Sequence, residues 1–401
     1  MLVLRLGFWS KSHIIAPFSP HCRDSRALPA RLFVLTSVIF LVFLDAKFGR
    51  NRSLGDDMSE TSKSRLVGPR IVVAGAGSVG CFVGGMLARG AYDVTLFLRP
   101  RLAEELLRQG LNLTDFAGMD EELSPDMFRL DTDPDCMKDA DIILVTVKSG
   151  DTEEMGRLIG LNANEDAVVV SLQNGVGNAG ILKELLPGRD VRAGMVPFNV
   201  VSMGGGRFHR GTSGDILIEK GPKHLARTMS VTDLTFHERA DMIPVQWGKL
   251  LVNLNNGLNA LSGLTLKEQL DSMPWRRLMS DQMAEALAVL EKAEIEVKPP
   301  LGTPIPMRHV PKILRLPSVL FKHVARSMLT IDPRARSSMW EDLEQGRTTE
   351  IEELQGLIVE LAREKGTEAP LNKAVAELVR DAESRGEGAP GLKPKDIRRA
   401  A

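Results

Sequence analysis

The order of apolar and polar positions divides the chain into two parts that differ in predicted secondary structure. In the first part, short β-branched apolar runs predict strands and longer stretches with helical periodicity separate them. The predicted strands are 70–75, 93–99, 140–148, 166–175 and 192–201, and the predicted helices are 78–90, 102–109 and 152–160. Strands that alternate with helices are typical of an α/β fold, in which a parallel sheet carries helices on both faces. Residues 211–221 add a hairpin arm or an edge strand.

From about residue 241 onward the periodicity becomes purely helical. The predicted helices are 247–261, 276–293, 335–345, 350–364 and 371–383. A basic, proline-rich stretch at 298–317 predicts a long loop or lid, and the wider segment 298–330 is an interruption of unknown role. We therefore divide the folded chain into an α/β domain at 70–240, an all-helical C-terminal domain at 241–385 and a flexible tail at 386–401.

Residues 1–69 are treated as an N-terminal extension. The run "LFVLTSVIFLVFL" at 32–44 is apolar but shorter than the about 20 residues of a membrane span, and no small-residue cleavage site follows it. It is either an uncleaved membrane anchor or part of a stretch upstream of the authentic start. We favour a start near Met58, with the folded protein in the cytoplasm.

The composition argues against several kinds of partner and site. Lys and Arg number 51 and Asp and Glu 52, so the charge balance gives no reason to expect a nucleic acid partner. The three cysteines are widely spaced, which argues against a disulfide framework or a structural zinc site. The seven histidines show no metal-ligand spacing, and we predict no metal.

The sequence "GAGSVG" at 75–80 places Gly75, Gly77 and Gly80 between a predicted strand and a predicted helix. This pattern permits a tight turn, a close approach of the backbone to a pyrophosphate, and close helix packing. It predicts a dinucleotide site that also includes Ala76, Ser78 and Val79; a merely tight turn is the alternative. The second strand ends at Arg99, with Arg101 beside it, where NAD-binding proteins usually carry an acidic residue. Arg99 therefore favours the 2′-phosphate of NADP(H), unless it is simply a solvated residue.

Three further places in the sequence carry candidate chemistry. Lys148 and Asn174 each follow a predicted strand, where ligands collect in parallel sheets, although either could serve only in a turn. Lys249, Asn253 and Asn256 lie within roughly 60° of one another on a helical wheel. This polar face is either the wall of a binding pocket or a solvated stripe.

Six short motifs occur along the chain in one order: the glycine pattern, "FLR", "TVK", "QNG", "WGKLLVN" and "SSMWEDLEQGRTTEI". This is the order found in the ketopantoate reductase (2-dehydropantoate 2-reductase) family, which the chain resembles over about residues 70–383. The resemblance implies a Rossmann-type dinucleotide-binding domain, a helical domain and an active site between them. It implies reduction of a 2-oxo acid by NADPH, with ketopantoate as the first choice. It also implies roles for particular residues: Lys249 and Glu350 in catalysis, Asn253 and Ser338 in substrate binding, and Arg99, Lys148, Asn174 and Glu350 at the cofactor.

The chain departs from the family pattern at one asparagine. Gly257 stands where the family has a second asparagine, so that role passes to Asn256 or Asn259, and Asn174 is a further candidate for the substrate. Two alternatives remain open: the same chemistry on another small oxo or hydroxy acid, and a noncatalytic NADP(H)-sensing protein. A homodimer is also left open.

Overall fold

The computed structural model describes residues 68–300, 305–325 and 332–401. The predicted apolar run 32–44 and the rest of residues 1–67 lie outside the described residues, as do 301–304 and 326–331. Among the residues described, none of the helices is both long enough and apolar enough to cross a membrane.

The first half of the described chain contains two β-sheets. Its strands are β1 (Arg70–Ala74), β2 (Asp93–Phe97), β3 (Leu111–Asp115), β4 (Asp120–Leu123), β5 (Arg129–Asp131), β6 (Ile142–Val145), β7 (Val168–Ser171), β8 (Val191–Met195), β9 (Val200–Gly204), β10 (Arg207–Arg210), β11 (Ile216–Glu219) and β12 (Phe236–Arg239). The large sheet has the order β12-β11-β8-β7-β6-β1-β2-β5, parallel except where β11 meets β8. The small sheet has the order β4-β3-β10-β9. Six of the eight large-sheet strands therefore run in the doubly wound order of dinucleotide-binding domains.

Helices cover both faces of the large sheet, as the alternation of elements predicts. They are α1 (Ser78–Arg89), α2 (Pro100–Gln109), α3 (Thr152–Asn162), α4 (Asn178–Leu185) and α5 (Leu225–Met229). Alternate residues of β1 enter opposite cores: Val73 packs with the core of α1, whereas Val72 packs with the core that contains Ile159 and Leu182. This two-residue alternation follows from strand geometry, and it confirms the predicted α/β fold.

Two strand predictions need correction. The predicted strand 192–201 is two strands, because Pro197 lacks the N–H that a sheet ladder needs and the chain leaves the large sheet there. The predicted arm or edge strand at 211–221 contains β11, which lies between β8 and β12 and is therefore not at an edge.

The second half of the described chain is helical. Its helices are α6 (Met242–Asn253), α7 (Asn255–Ser262), α8 (Leu266–Asp271), α9 (Met273–Lys292), α10 (Val310–Leu314), α11 (Ser318–Val324), α12 (Ser338–Glu344), a π-helical stretch (Glu352–Gly356), α13 (Leu357–Glu364), α14 (Pro370–Arg385) and α15 (Pro394–Ala400). They share one apolar core that includes Trp247, Leu258, Ile358 and Val375.

The predicted helix 247–261 is interrupted at Leu254, between α6 and α7. The side-chain amide of Gln355 donates to the carbonyl oxygen of Leu254 at 2.7 Å. Gln355 is fully buried in the π-helical stretch, a helix form that often marks functional sites. A side chain from about 100 residues away therefore contacts the junction of the two helices, where the Leu254 carbonyl oxygen accepts its bond.

The segment 298–330 is not simply a loop, because its described residues, 298–300 and 305–325, include α10 and α11. The buried guanidinium of Arg276 donates to the carbonyl oxygens of Leu314 and Leu316 at 3.3 and 2.8 Å, and to Ser318 Oγ at 2.8 Å. Ser280 Oγ donates to the carbonyl oxygen of Pro311 at 2.8 Å. These bonds fix α10 and the start of α11 to α9.

The prediction of a flexible tail at 386–401 is wrong. The Leu392 N–H donates to the carbonyl oxygen of Leu261 at 2.8 Å, and Ile397 on α15 is completely buried in the helical core. Among the glycine, proline and charged residues of this segment, Leu392 and Ile397 are apolar and pack on the helical core, which docks the seven-residue helix α15.

We expect Ile397→Ala to lower the free energy of unfolding by about 2–5 kcal/mol, because it removes a fully buried side chain and leaves a cavity. Denaturant unfolding of the full chain measures this change. Lys395→Ala, an exposed position on the same helix, is the control. Equal stability of the two variants would show that α15 is not docked.

Candidate active site

The glycine turn joins β1 to α1 at the carboxyl edge of the large sheet. Gly75 has φ +82°, and a Cβ there would lie 2.1 Å from Val147 Cγ1. A Cβ on Gly80 would lie 2.5 Å from Thr146 Oγ1, so Gly80 lets α1 pack against the neighbouring strand end. A Cβ on Gly77 would meet nothing closer than the Gly75 carbonyl oxygen at 4.0 Å. The space in front of Gly77, at the N-terminus of α1, therefore fits a pyrophosphate.

A lysine on α6 meets the ends of two strands. Lys249 Nζ donates to Asn174 Oδ1 at 2.8 Å and to the carbonyl oxygen of Val196, which follows β8. Asn174 Nδ2 in turn donates to Glu350 Oε2 at 3.0 Å. Asn174 thus connects the lysine to the carboxylate by two hydrogen bonds.

Burial lowers the pKa of Lys249 from its ordinary 10.5 to about 8, because the ammonium loses hydration, while the nearby Glu350 carboxylate opposes this shift. A lysine with a pKa of about 8 is still largely protonated at neutral pH yet gives up its proton readily. This is the range in which a side chain works well as a general acid.

Residues next to Lys249 in the sequence hold helix α6 against its surroundings. Gln246 Nε2 donates to the carbonyl oxygen of Gly194 at 3.1 Å, so Gln246 and Lys249 bind the end of β8 from one face of α6. On another side of the helix, a Cβ on Gly248 would lie 1.8 Å from the Lys298 carbonyl oxygen. Gly248, the glycine in "WGK", therefore lets the backbone at Lys298 cross α6 at close range.

The two predicted cofactor cations both have carboxylate neighbours. The Arg99 side chain is 90% exposed, and its guanidinium lies 3.7 Å from Asp151, a carboxylate that the sequence pattern around Arg99 does not predict. Lys148 Nζ lies 2.9 Å from the buried Asp342 and donates to the carbonyl oxygen of Thr348 at 2.6 Å. Lys148 thus ties the α/β domain to the segment that precedes Glu350.

The predicted substrate residues separate into two groups. Asn253, Asn256 and Ser338 line a cavity together with Lys249. Asn259 does not line it: this side chain is fully buried and bonds to Leu264, Gln269 and Ser337, which corrects its prediction as a substrate residue.

Gly257 cannot be replaced by the family's asparagine without rearrangement. A Cβ there would lie 2.8 Å from Val375 Cγ1 and 2.9 Å from Gln355 Nε2. Of the two candidates for that role, Asn256 is the one on the cavity wall.

One cavity of about 1660 Å³ connects these residues. Its wall includes Gly75, Ala76, Gly77, Ser78, Val79, Arg99, Lys148, Asn174, Lys249 and Glu350. Gly80 serves the packing of α1 behind this wall. In the part of the chain that the structure describes, no cluster of His, Cys, Asp and Glu could hold a metal ion.

Several cavity features were not found from the sequence. Arg336 lines the cavity beside Ser338, with its guanidinium stacked 4.4 Å from the centre of the Trp340 ring. Its position next to the serine motif was an available signal. The Val196 carbonyl and the role of Asp342 had none, because each depends on contacts between distant parts of the chain.

A glycine turn on a parallel sheet and a lysine of lowered pKa on the same cavity define a dinucleotide-dependent oxidoreductase. The family model "Ketopantoate reductase PanE/ApbA" matches residues 71–223, and its C-terminal counterpart matches 241–383. The chain therefore belongs to the ketopantoate reductase family, whose members are oxidoreductases acting on CH–OH groups.

Individual relatives agree with this assignment. The chain is 31% identical to a 2-dehydropantoate 2-reductase of Halobacterium salinarum, over 79% of this chain and all of that protein. It is 28% identical to the solved ketopantoate reductase of Ralstonia eutropha JMP134, with a TM-score of 0.66, over 79% of this chain and 99% of that one. A D-mandelate dehydrogenase solved with NADH and anilino(oxo)acetate shares the fold at 22% identity and a TM-score of 0.63, over 79% of this chain and 99% of that one.

We expect Glu350→Gln to lower the pKa of Lys249 below about 8, because the carboxylate charge favours the ammonium form. NMR titration of lysine labelled at the ε-carbon measures this pKa. Glu352→Gln is the matched control, since that carboxylate pairs with Arg380 instead. An unchanged or higher pKa in Glu350→Gln would contradict the assignment.

Proposed function

We propose that this protein uses NADPH to reduce a 2-oxo acid to the 2-hydroxy acid, with 2-dehydropantoate as the first substrate to test. The names of the relatives support that substrate. The observation that carries the proposal is the Lys249 ammonium, held by Asn174 and the Val196 carbonyl on the cavity that also contains the glycine turn.

The proton donor in this proposal is Lys249. A nicotinamide cofactor held at the glycine turn and Arg99 would supply the hydride for the carbonyl carbon, and the carbonyl oxygen would then gain negative charge and need a proton. Lys249 Nζ stabilises that charge and delivers the proton, which leaves a neutral amine and a 2-hydroxy acid. Solvent reprotonates the amine, which a pKa of about 8 favours at neutral pH.

Other side chains position the reactants. Glu350 is a positioning residue that acts through Asn174, because its carboxylate orients the amide whose oxygen holds the lysine. Asn253, Asn256 and Ser338 supply hydrogen bonds to the substrate carboxylate or to its other polar groups.

The cofactor preference rests on Arg99. The glycine turn fits a pyrophosphate, and Arg99 is exposed on the cavity wall with Arg101 nearby. A guanidinium there suits a 2′-phosphate. A cytoplasmic location and a homodimer remain predictions.

We expect Lys249→Ala to lower the turnover of 2-dehydropantoate at least about 100-fold, because the reaction loses its general acid. NADPH oxidation followed by absorbance measures turnover, and fluorescence titration checks that NADPH still binds. Lys373→Ala, exposed on α14, is the control. Normal turnover in Lys249→Ala would refute the mechanism, and NADPH binding without turnover of any oxo acid by the wild type would favour a sensor.

We expect Arg99→Ala to lower kcat/KM for NADPH about tenfold or more and to leave kcat/KM for NADH within about twofold, because only NADPH carries the 2′-phosphate. Asp151→Asn should act in the opposite direction on NADPH, since it removes a negative charge beside Arg99. Arg108→Ala on α2 is the control. Equal losses with both cofactors in Arg99→Ala would exclude phosphate recognition.

A further inference from the structure

The active-site cavity extends beyond the polar wall into an apolar lobe of the helical domain. The cavity of about 1660 Å³ contains the glycine turn and Lys249 at one end, and its lining continues into the helical domain beyond them. Side chains from α8, α9, α10 and α11 line the added space. They include Leu266, Leu270, Met279, Met283, Ile313 and Phe321.

The lobe begins beside the proposed substrate residues. The Leu266 N–H donates to the Ala335 carbonyl oxygen at 2.9 Å, which places the lobe next to the segment carrying Arg336 and Ser338. Leu254, between α6 and α7, lines the same cavity next to Asn253. A molecule whose carbonyl lies at Lys249 therefore has an apolar space adjoining its polar contacts.

The walls of the lobe are fixed rather than loosely packed. Arg276 bonds to the chain between α10 and α11, and its guanidinium lies 4.2 Å from the centre of the Phe321 ring. Ser280 holds the start of α10 through Pro311. Leu270, Met279 and Ile313 stay half-buried although they belong to a helical core, so part of their apolar surface faces unfilled space.

From this geometry we propose that the lobe is the specificity site for the substrate side chain. It selects 2-oxo acids whose side chain is an apolar alkyl or aryl group larger than the 2-hydroxy-1,1-dimethylethyl group of 2-dehydropantoate. The inference rests on the proposed function and deepens it. Burial of each added methylene in the lobe favours the longer acid, whereas the hydroxyl of 2-dehydropantoate gains nothing from an apolar wall.

The test compares kcat/KM of the full chain with NADPH for 2-dehydropantoate and for unbranched 2-oxo acids from 2-oxobutanoate to 2-oxooctanoate. We expect kcat/KM to rise about fourfold with each added methylene until the lobe is full, and to exceed the value for 2-dehydropantoate. Calorimetric binding of N-alkyl oxamates, which cannot be reduced, should show the same trend in Kd with NADP⁺ present. Values that stay flat or fall with chain length would overturn the lobe proposal and leave oxo-acid reduction intact. Failure to reduce any acid would remove the proposed function and this inference with it.

Variants that fill the lobe locate the effect. Ile313→Trp and Met279→Trp should lower kcat/KM for 2-oxooctanoate at least about tenfold and keep that for 2-oxobutanoate within about twofold. Val319→Trp, on the exposed side of α11, should leave both unchanged. Retained activity on the short acid shows that a variant is folded, and equal losses on both acids in both lobe variants would contradict the proposal.

Discussion

The candidate site depends on keeping an ammonium charged where it has lost much of its water. A lysine removed from solvent is costly unless carbonyl, amide or carboxylate oxygens replace its hydration. Around Lys249 these are the Val196 carbonyl, the Asn174 side chain and, behind it, Glu350. The compensation is incomplete, which is why the pKa lies near 8 instead of 10.5. The balance between burial and compensation gives the lysine its acidity.

Local rules explain why much of the fold was predictable. The glycine pattern in 75–80 predicts a dinucleotide site once a strand is predicted before it and a helix after it. The two-residue alternation in β1 follows from strand geometry. The resemblance to a family brought Lys249, Asn174 and Glu350 together as candidates. Their actual connection was not available to either argument, because it joins side chains 75 and 176 residues apart.

The wrong predictions share a physical cause, which is packing between distant segments. The family pattern makes Asn259 a substrate candidate, but its side chain is buried, and its Oδ1 accepts from the backbone N–H of Ser337 at 2.8 Å. The junction of α6 and α7 lies where the buried Gln355 amide contacts the Leu254 carbonyl oxygen, and the docking of the last residues depends on the burial of Ile397. These positions depend on tertiary contacts that a local pattern does not encode.

The segment 337–350 illustrates how the two domains make one site. Ser337 caps the start of helix α12. Beyond the end of that helix, Gly346 has φ +60° and lets the chain turn, so that the Arg347 guanidinium donates back to Asp342. That turn sends Thr348 and Glu350 towards the α/β domain, where they meet Lys148 and Asn174.

Lys148 follows β6 and Asn174 follows β7, and parallel neighbouring strands place their carboxyl ends side by side. One turn in the helical domain therefore contacts two adjacent strand ends of the other domain. A change in this turn should therefore alter the surroundings of Lys148 and Asn174 together, because Asp342 and Glu350, which contact them, are joined by this single short stretch of backbone.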